Sequence, residues 1–172
     1  MASGNRIVAS PAPLGRFEEC IVVGTPKPGT VMEKIAATSP VAGTYSFEPA
    51  GTTAASGTHG MAADGDNIAI GVLVCFADHA ACPPGKSATD AYATGERGAI
   101  YWPQNGDQLN MLFQNAAGTA DDIVMGDKLI VDDGTGKLLK STGTVESEPF
   151  IAAEAIVDPT ADQLFLCEFI GA

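Results

Sequence analysis

Basic residues are scarce in this chain: nine Lys and Arg stand against 21 Asp and Glu, for a formal charge of −12. So acidic a surface repels a phosphate backbone, which argues against direct nucleic-acid binding and favours solubility. Charged residues make up only 17% of the 172 positions, and the continuous runs of Ala, Leu, Glu and Lys that build long helices are missing. No window approaches the roughly 20 consecutive apolar residues of a membrane-spanning helix. The opening MASGNRIVASPAPLGRF has no basic-then-apolar leader pattern, so the expectation is cytoplasmic synthesis without a membrane. Histidine is limited to His59 and His79 and no G-x-S-x-G elbow occurs, which leaves little for nucleophilic catalysis.

Twenty glycines and eleven prolines are present, a composition that suits many short strands joined by turns. A chain of this length buries roughly 70% of its unfolded surface, enough for one core. The reading is a mainly β protein, a small antiparallel β-barrel or β-sandwich, with an extended N-terminal arm and long surface loops. Residues 1–16 carry Pro11 and Pro13 without periodicity and are expected to form an arm with no fold of its own, able to order on a neighbour. Residues 17–172 then form a single β-rich domain, in which 50–67 (AGTTAASGTHGMAADGDN) is a mobile surface loop.

Apolar runs predict strands over 17–23, 30–35, 43–49, 68–77, 99–102, 108–113, 128–133, 137–141, 150–157 and 163–170. The run 68–77, IAIGVLVCFA, suits a central strand buried on both faces and interrupted at Gly71. Gly134-Thr135-Gly136 predicts one hairpin and Asp158-Pro159-Thr160-Ala161-Asp162 a second. Asn105-Gly106 predicts a third, between 99–102 and 108–113. A short turn of helix fits 87–93, and no fixed-period repeat is visible.

The residues that could carry chemistry have plainer readings. Cys20, Cys75 and Cys167 lie in apolar runs, where a thiol behaves as a small buried hydrophobe. Cys75, His79 and Cys82 offer three zinc-type ligands in one loop, but no second cluster supplies a fourth; a Cys75–Cys82 disulfide is the other alternative to inert thiols. Asp132 to Lys137 lacks the first glycine and the final Ser/Thr of a phosphate loop, and Asp64-Gly65-Asp66 lacks the spacing of a calcium loop. The pairs Glu18/Glu19, Asp121/Asp122 and Glu146/Glu148 sit among turn residues and read as solvated faces. No catalytic residue, cofactor or metal is expected.

The order of turn motifs adds a resemblance. Pro28-Gly29-Thr30-Val31 precedes the central apolar run; Gly85-Lys86, then Thr89-Asp90-Ala91-Tyr92 and Gly95, follow it; Gly106-Asp107 and Gly126-Asp127-Lys128-Leu129 close the series. This succession resembles tailed-bacteriophage head decoration (capsid cement) proteins over about residues 28–170. The resemblance implies a structural virion protein on the capsid exterior, often a homotrimer, whose partner is the phage major capsid protein. The N-terminal arm, with Arg6, Ile7, Val8, Pro11, Pro13, Leu14 and Phe17, is the candidate capsid-binding segment, and Tyr101 and Trp102 are a candidate interface pair. The alternative is a carbohydrate-binding β-sandwich that stacks sugars on Tyr101 and Trp102, with 51–66 as the rim.

Overall fold

A computed structural model describes residues 6–35, 44–50, 71–114, 122–132, 134–141, 148–157 and 163–171. Among them the fold is all β, with ten strands and no helix: β1 (Arg16–Val22), β2 (Val31–Ile35), β3 (Tyr45–Pro49), β4 (Gly71–Leu73), β5 (Arg97–Trp102), β6 (Gln108–Phe113), β7 (Lys128–Val131), β8 (Leu138–Lys140), β9 (Phe150–Ala152) and β10 (Gln163–Phe169). The strands close two barrels rather than one. Barrel I has the order β1-β3-β2-β4-β5, and barrel II the order β10-β6-β8-β7-β9. Each barrel is antiparallel except for one parallel pair, β1 with β3 and β6 with β8.

The two barrels are one pattern used twice. Val22 faces Phe47 across the parallel pair of barrel I, and Phe113 faces Leu138 across that of barrel II. Lys34 pairs with Phe47 as Val131 pairs with Leu138. Met32 pairs with Gly71 as Leu129 pairs with Phe150, and Val72 with Tyr101 as Ile151 with Glu168. Side chains alternate faces along a strand, so an equal register sends equivalent positions inward. Barrel I is filled by Cys20, Val22, Met32, Phe47, Leu73 and Ile100, with Trp102 packed against them. The same register positions in barrel II hold Met111, Phe113, Leu129, Leu138, Ala152, Cys167 and Phe169, all buried.

Outward residues of barrel I join the barrels. Val31, Val72, Ala99 and Tyr101 pack into one cluster with the interior of barrel II. The β7–β8 hairpin forms as its glycines require: Gly134 and Gly136 have φ of 86° and 64°, and the tip reaches across to barrel I. There Val31 N–H donates to Gly136 O at 2.7 Å and Gly134 N–H to Ala50 O at 2.9 Å. β9 and β10 pair as the second hairpin requires, and residues 158–162 between them lie outside the described residues.

Four expectations change. Asn105-Gly106 does make a tight turn, but β5 and β6 do not pair: β5 belongs to barrel I and β6 to barrel II, so the turn is the passage between barrels. Local turn chemistry sets the shape of a turn, while the pairing of its flanking strands is decided by distant partners. The central run keeps three strand residues, Gly71–Leu73, followed by buried Val74 and Cys75, and 68–70 fall outside the described residues. Residues 87–93 form turns around Asp90 rather than helix. Residues 6–16 of the N-terminal arm are ordered on their own chain, as set out below.

Gly136 tests the inter-barrel lock. A Cβ there would stand 2.2 Å from Val31 O, whereas one at Gly134 meets nothing within 4 Å. Gly134→Ala is expected to cost about 1 kcal/mol for its left-handed backbone, and Gly136→Ala about 3–5 kcal/mol once the backbone clash is added. Urea unfolding of both variants measures the difference.

Candidate interaction surface

Two aspartates organise the N-terminal arm. The Asp78 carboxylate accepts the backbone N–H of Ile7 at 2.9 Å and of Val8 at 2.9 Å, while the Arg6 guanidinium donates twice to Ala77 O, at 3.0 and 3.1 Å. Val8 bridges Leu109 of β6, and Asn110 donates its backbone N–H to Ile7 O and its side-chain amide to Arg6 O, both at 2.7 Å. Further on, Asp107 accepts Leu14 N–H at 2.9 Å, Gln104 N–H at 2.9 Å and the Tyr101 hydroxyl at 2.6 Å; Tyr101 Oη in turn accepts Gly15 N–H at 2.8 Å.

These bonds decide which arm residues face solvent. Ile7 and Val8, read from sequence as free to reach a neighbour, are 0% and 7% exposed in the shared core. The reason is their apolar character beside an unfilled edge of β6, which a β-type bridge satisfies. Phe17 is half-buried, its ring stacked on His79 at 4.8 Å and tilted against Tyr101 at 4.9 Å. Pro11, Pro13 and Leu14 are exposed, Leu14 by 68%. The arm is therefore a short apolar bulge held at both ends.

The Tyr101–Trp102 pair sits inward of where the sequence reading put it. Tyr101 is fully buried in the shared core, so its ring offers no face to a sugar or a neighbouring subunit. Trp102 closes one end of barrel I, edge-on to Phe47 at 5.9 Å, with Nε1–H donated to Glu18 Oε2 at 2.9 Å. The proposed sugar-binding rim, 51–66, lies outside the described residues, as do His59 and Asp64 to Asp66.

The motif residues behind the resemblance turn out to be structural. Gly29, Gly95, Gly106 and Gly126 each occupy the third position of a turn with φ near 90°, closed by a bond from the next residue's N–H to the first residue's carbonyl. In three of these turns the fourth residue is an acid whose carboxylate accepts the first residue's N–H: Glu96 from Ala93, Asp107 from Gln104 and Asp127 from Val124. That is a type II turn with a side-chain clasp. Lys86 donates to Ala91 O at 2.8 Å and pairs with Glu96 at 3.0 Å, and Asp90 accepts Ser87 N–H at 2.8 Å. Tyr92, 1% exposed, plugs barrel I and donates its hydroxyl to Val74 O at 2.8 Å.

The groups weighed for chemistry are engaged separately. Cys75 Sγ donates to Asp78 at 3.0 Å, Cys82 Sγ to Val74 O at 3.5 Å, and His79 Nδ1 accepts Ala81 N–H at 3.1 Å. Among the described residues no three His, Cys, Asp or Glu side chains converge as a metal would need. All four thiols are free and buried. Burial pushes Cys20 and Cys75 up to about 12 and Cys167 well above the ordinary thiol value. Asp132 accepts the Thr135 hydroxyl at the hairpin tip, Glu19 pairs with Arg97 and Glu148 with Lys128; Asp121 and Glu146 are outside the described residues. A cleft of about 240 Å3 between the hairpin tip and barrel I is walled by Thr25, Pro26, Lys27, Thr30, Pro49, Leu112, Thr135 and Lys137, without a carboxylate, thiol or imidazole.

No protein-family model matches the chain, and no curated protein sequence matches it.

Two measurements probe this region. Burial alone would raise the Asp107 pKa, but the N–H donors of Gln104 and Leu14 and the Tyr101 hydroxyl outweigh it and leave it below the ordinary aspartate value. A lowered folded-state pKa adds stability above the unfolded value, and that share is lost as pH falls below about 4. Asp107→Asn should cost about 2 kcal/mol near pH 7, and the difference from wild type should shrink as pH falls below about 4, read by urea unfolding across that range. The buried thiols should not react with Ellman's reagent while the protein is folded, and all four should react after unfolding.

Proposed function

We propose that this protein is a structural component of a tailed-phage virion that binds the exterior of the assembled capsid and fastens neighbouring major capsid protein subunits. The observation that carries this reading is the clamped apolar bulge, Pro11, Pro13 and Leu14, presented by a stiff double barrel whose clasped turns coincide with the motif positions of the decoration-protein resemblance. Apolar surface fixed in one conformation binds without the ordering cost that a flexible tail incurs.

On this reading the body holds and the bulge touches. Among the described residues the groups weighed for chemistry are engaged elsewhere: His79 is stacked on Phe17, and the Cys75 and Cys82 thiols are buried and hydrogen-bonded. The acidic exterior keeps particles apart and does not compete for packaged DNA. Several copies on a repeated lattice turn modest single contacts into firm attachment, because each later contact is intramolecular.

The test is co-sedimentation of purified protein with expanded capsids of its own phage. Wild type should bind and raise the temperature at which capsids disrupt. Leu14→Glu should weaken binding roughly tenfold, the loss of about 1.4 kcal/mol, with an unchanged melting temperature of the free protein. Removing residues 1–17 is the poorer probe, since it also takes Ile7 and Val8 from the core. Equal capsid binding by wild type and Leu14→Glu would remove the bulge from the contact; no binding by wild type would remove the function.

A further inference from the structure

The two barrels enter their second strands through the same turn. In barrel I, Lys27-Pro28-Gly29-Thr30 leads into β2, with Thr30 N–H donated to Lys27 O at 3.2 Å and Gly29 N–H to Leu73 O at 2.8 Å. In barrel II, Val124-Met125-Gly126-Asp127 leads into β7 with the equivalent bonds, Asp127 N–H to Val124 O at 3.0 Å and Gly126 N–H to Ala152 O at 2.8 Å. Ala93 to Glu96 and Gln104 to Asp107 make the same kind of turn before β5 and β6. In three of the four turns the last residue is an acid, Glu96, Asp107 or Asp127, whose carboxylate accepts the first residue's N–H.

The turn into β2 is the exception. Its last residue is Thr30, whose hydroxyl stands one bond closer to the main chain than an aspartate carboxylate and makes no bond to Lys27 N–H. Among the described residues Lys27 N–H has no acceptor and the Thr30 hydroxyl has no hydrogen-bond partner. Thr30 is 1% exposed, and a polar group at that depth gains from any partner that can reach it. The common turn geometry aims Lys27 N–H to the place beside Thr30 where the other three turns put a carboxylate oxygen.

Lys27 and Thr30 both wall the cleft of about 240 Å3 between barrel I and the β7–β8 hairpin tip, with Thr25, Thr135 and Lys137. The wall holds two lysines and no acid. Lys34, Lys86, Arg97, Lys128 and Lys140 are each paired with a carboxylate, whereas exposed Lys27 is paired with none among the described residues. We propose that this cleft docks the side-chain carboxylate of an acidic residue on a partner protein, which supplies from outside the clasp that Glu96, Asp107 and Asp127 supply from within. The carboxylate accepts Lys27 N–H and the Thr30 hydroxyl beside the Lys27 ammonium, and hydrogen bonds to an ionised acceptor are roughly twice as strong as neutral ones. A volume of about 240 Å3 takes a side chain and its adjoining main chain, so the partner presents an extended segment rather than a broad face.

Charge confines the contact. A chain of −12 turns an acidic segment away from most of its surface, and such a segment is held only where lysines stand without acids and an N–H is open to it.

Amide NMR of the full chain tests this without any capsid, so its failure leaves the capsid reading standing. The probe is acetyl-aspartyl amide, a blocked residue whose one charge is its side-chain carboxylate, with acetyl-asparaginyl amide as the neutral analogue and inorganic phosphate as the competing anion. The Lys27 and Thr30 amide resonances should move with the aspartyl probe and saturate in the millimolar range, and should stay in place with the asparaginyl analogue. Lys27→Gln, at an exposed side chain that leaves the fold intact, should weaken binding about threefold. Thr30→Asp, which provides its own clasp, should bind no probe and should show its Lys27 amide near the probe-bound position of wild type. Wild-type amides that do not move, or that move equally with the neutral analogue, overturn the proposal. So does a response to phosphate without one to the aspartyl probe, or a Lys27→Gln variant that binds as wild type does.

Discussion

Asp107 is the joint on which the arrangement turns. Its carboxylate is buried where barrel I ends and barrel II begins, and it holds three donors from three places: the end of β5 through Tyr101, the connecting turn through Gln104 and the arm through Leu14. A buried carboxylate is costly unless its acceptor sites are used, and this one is charged because all three donors point at it. The turn between the last strand of one barrel and the first of the next, and the arm where it passes Leu14, are thus tied to a single group.

From that joint the chain repeats itself. Both barrels follow one strand order, one register and one set of inward positions, yet none of those positions holds the same residue: Cys20 answers to Met111, Val22 to Phe113, Leu73 to Ala152, Ile100 to Cys167 and Trp102 to Phe169. A barrel interior asks for a filled volume and not for particular side chains. Tyr92, which plugs barrel I from the long loop before β5, supplies bulk to that barrel alone. A repeat kept in register and lost in residue identity leaves no period in the sequence.

This explains what could be read before folding. Short-range signals were legible: ten apolar runs match ten strands, and Gly134-Thr135-Gly136 makes its hairpin. Long-range decisions were not. Nothing local to Asn105-Gly106 says that its flanking strands part, and nothing local to Ile7 and Val8 says that Asn110 and Asp78 await them. Aromatic residues were ambiguous for the same reason: Tyr101 and Trp102 are adjacent, but alternation sends one into the space between barrels and the other into a barrel mouth.

The edge of β6 has a consequence for the order of assembly. Among the described residues barrel II closes its parallel seam through one residue pair, Phe113 with Leu138, and Gly29 and Ile7 bond the edge of β6 beyond it. The Arg6 carbonyl and the Asn110 amide that receives it lie 104 positions apart. Barrel I can assemble from residues 16–102, but barrel II needs a piece from the far end of the chain to finish its wall. Such distant closures come late, because the loop entropy must be overcome before the bonds form. The arm, first along the chain, is the last bolt to be drawn.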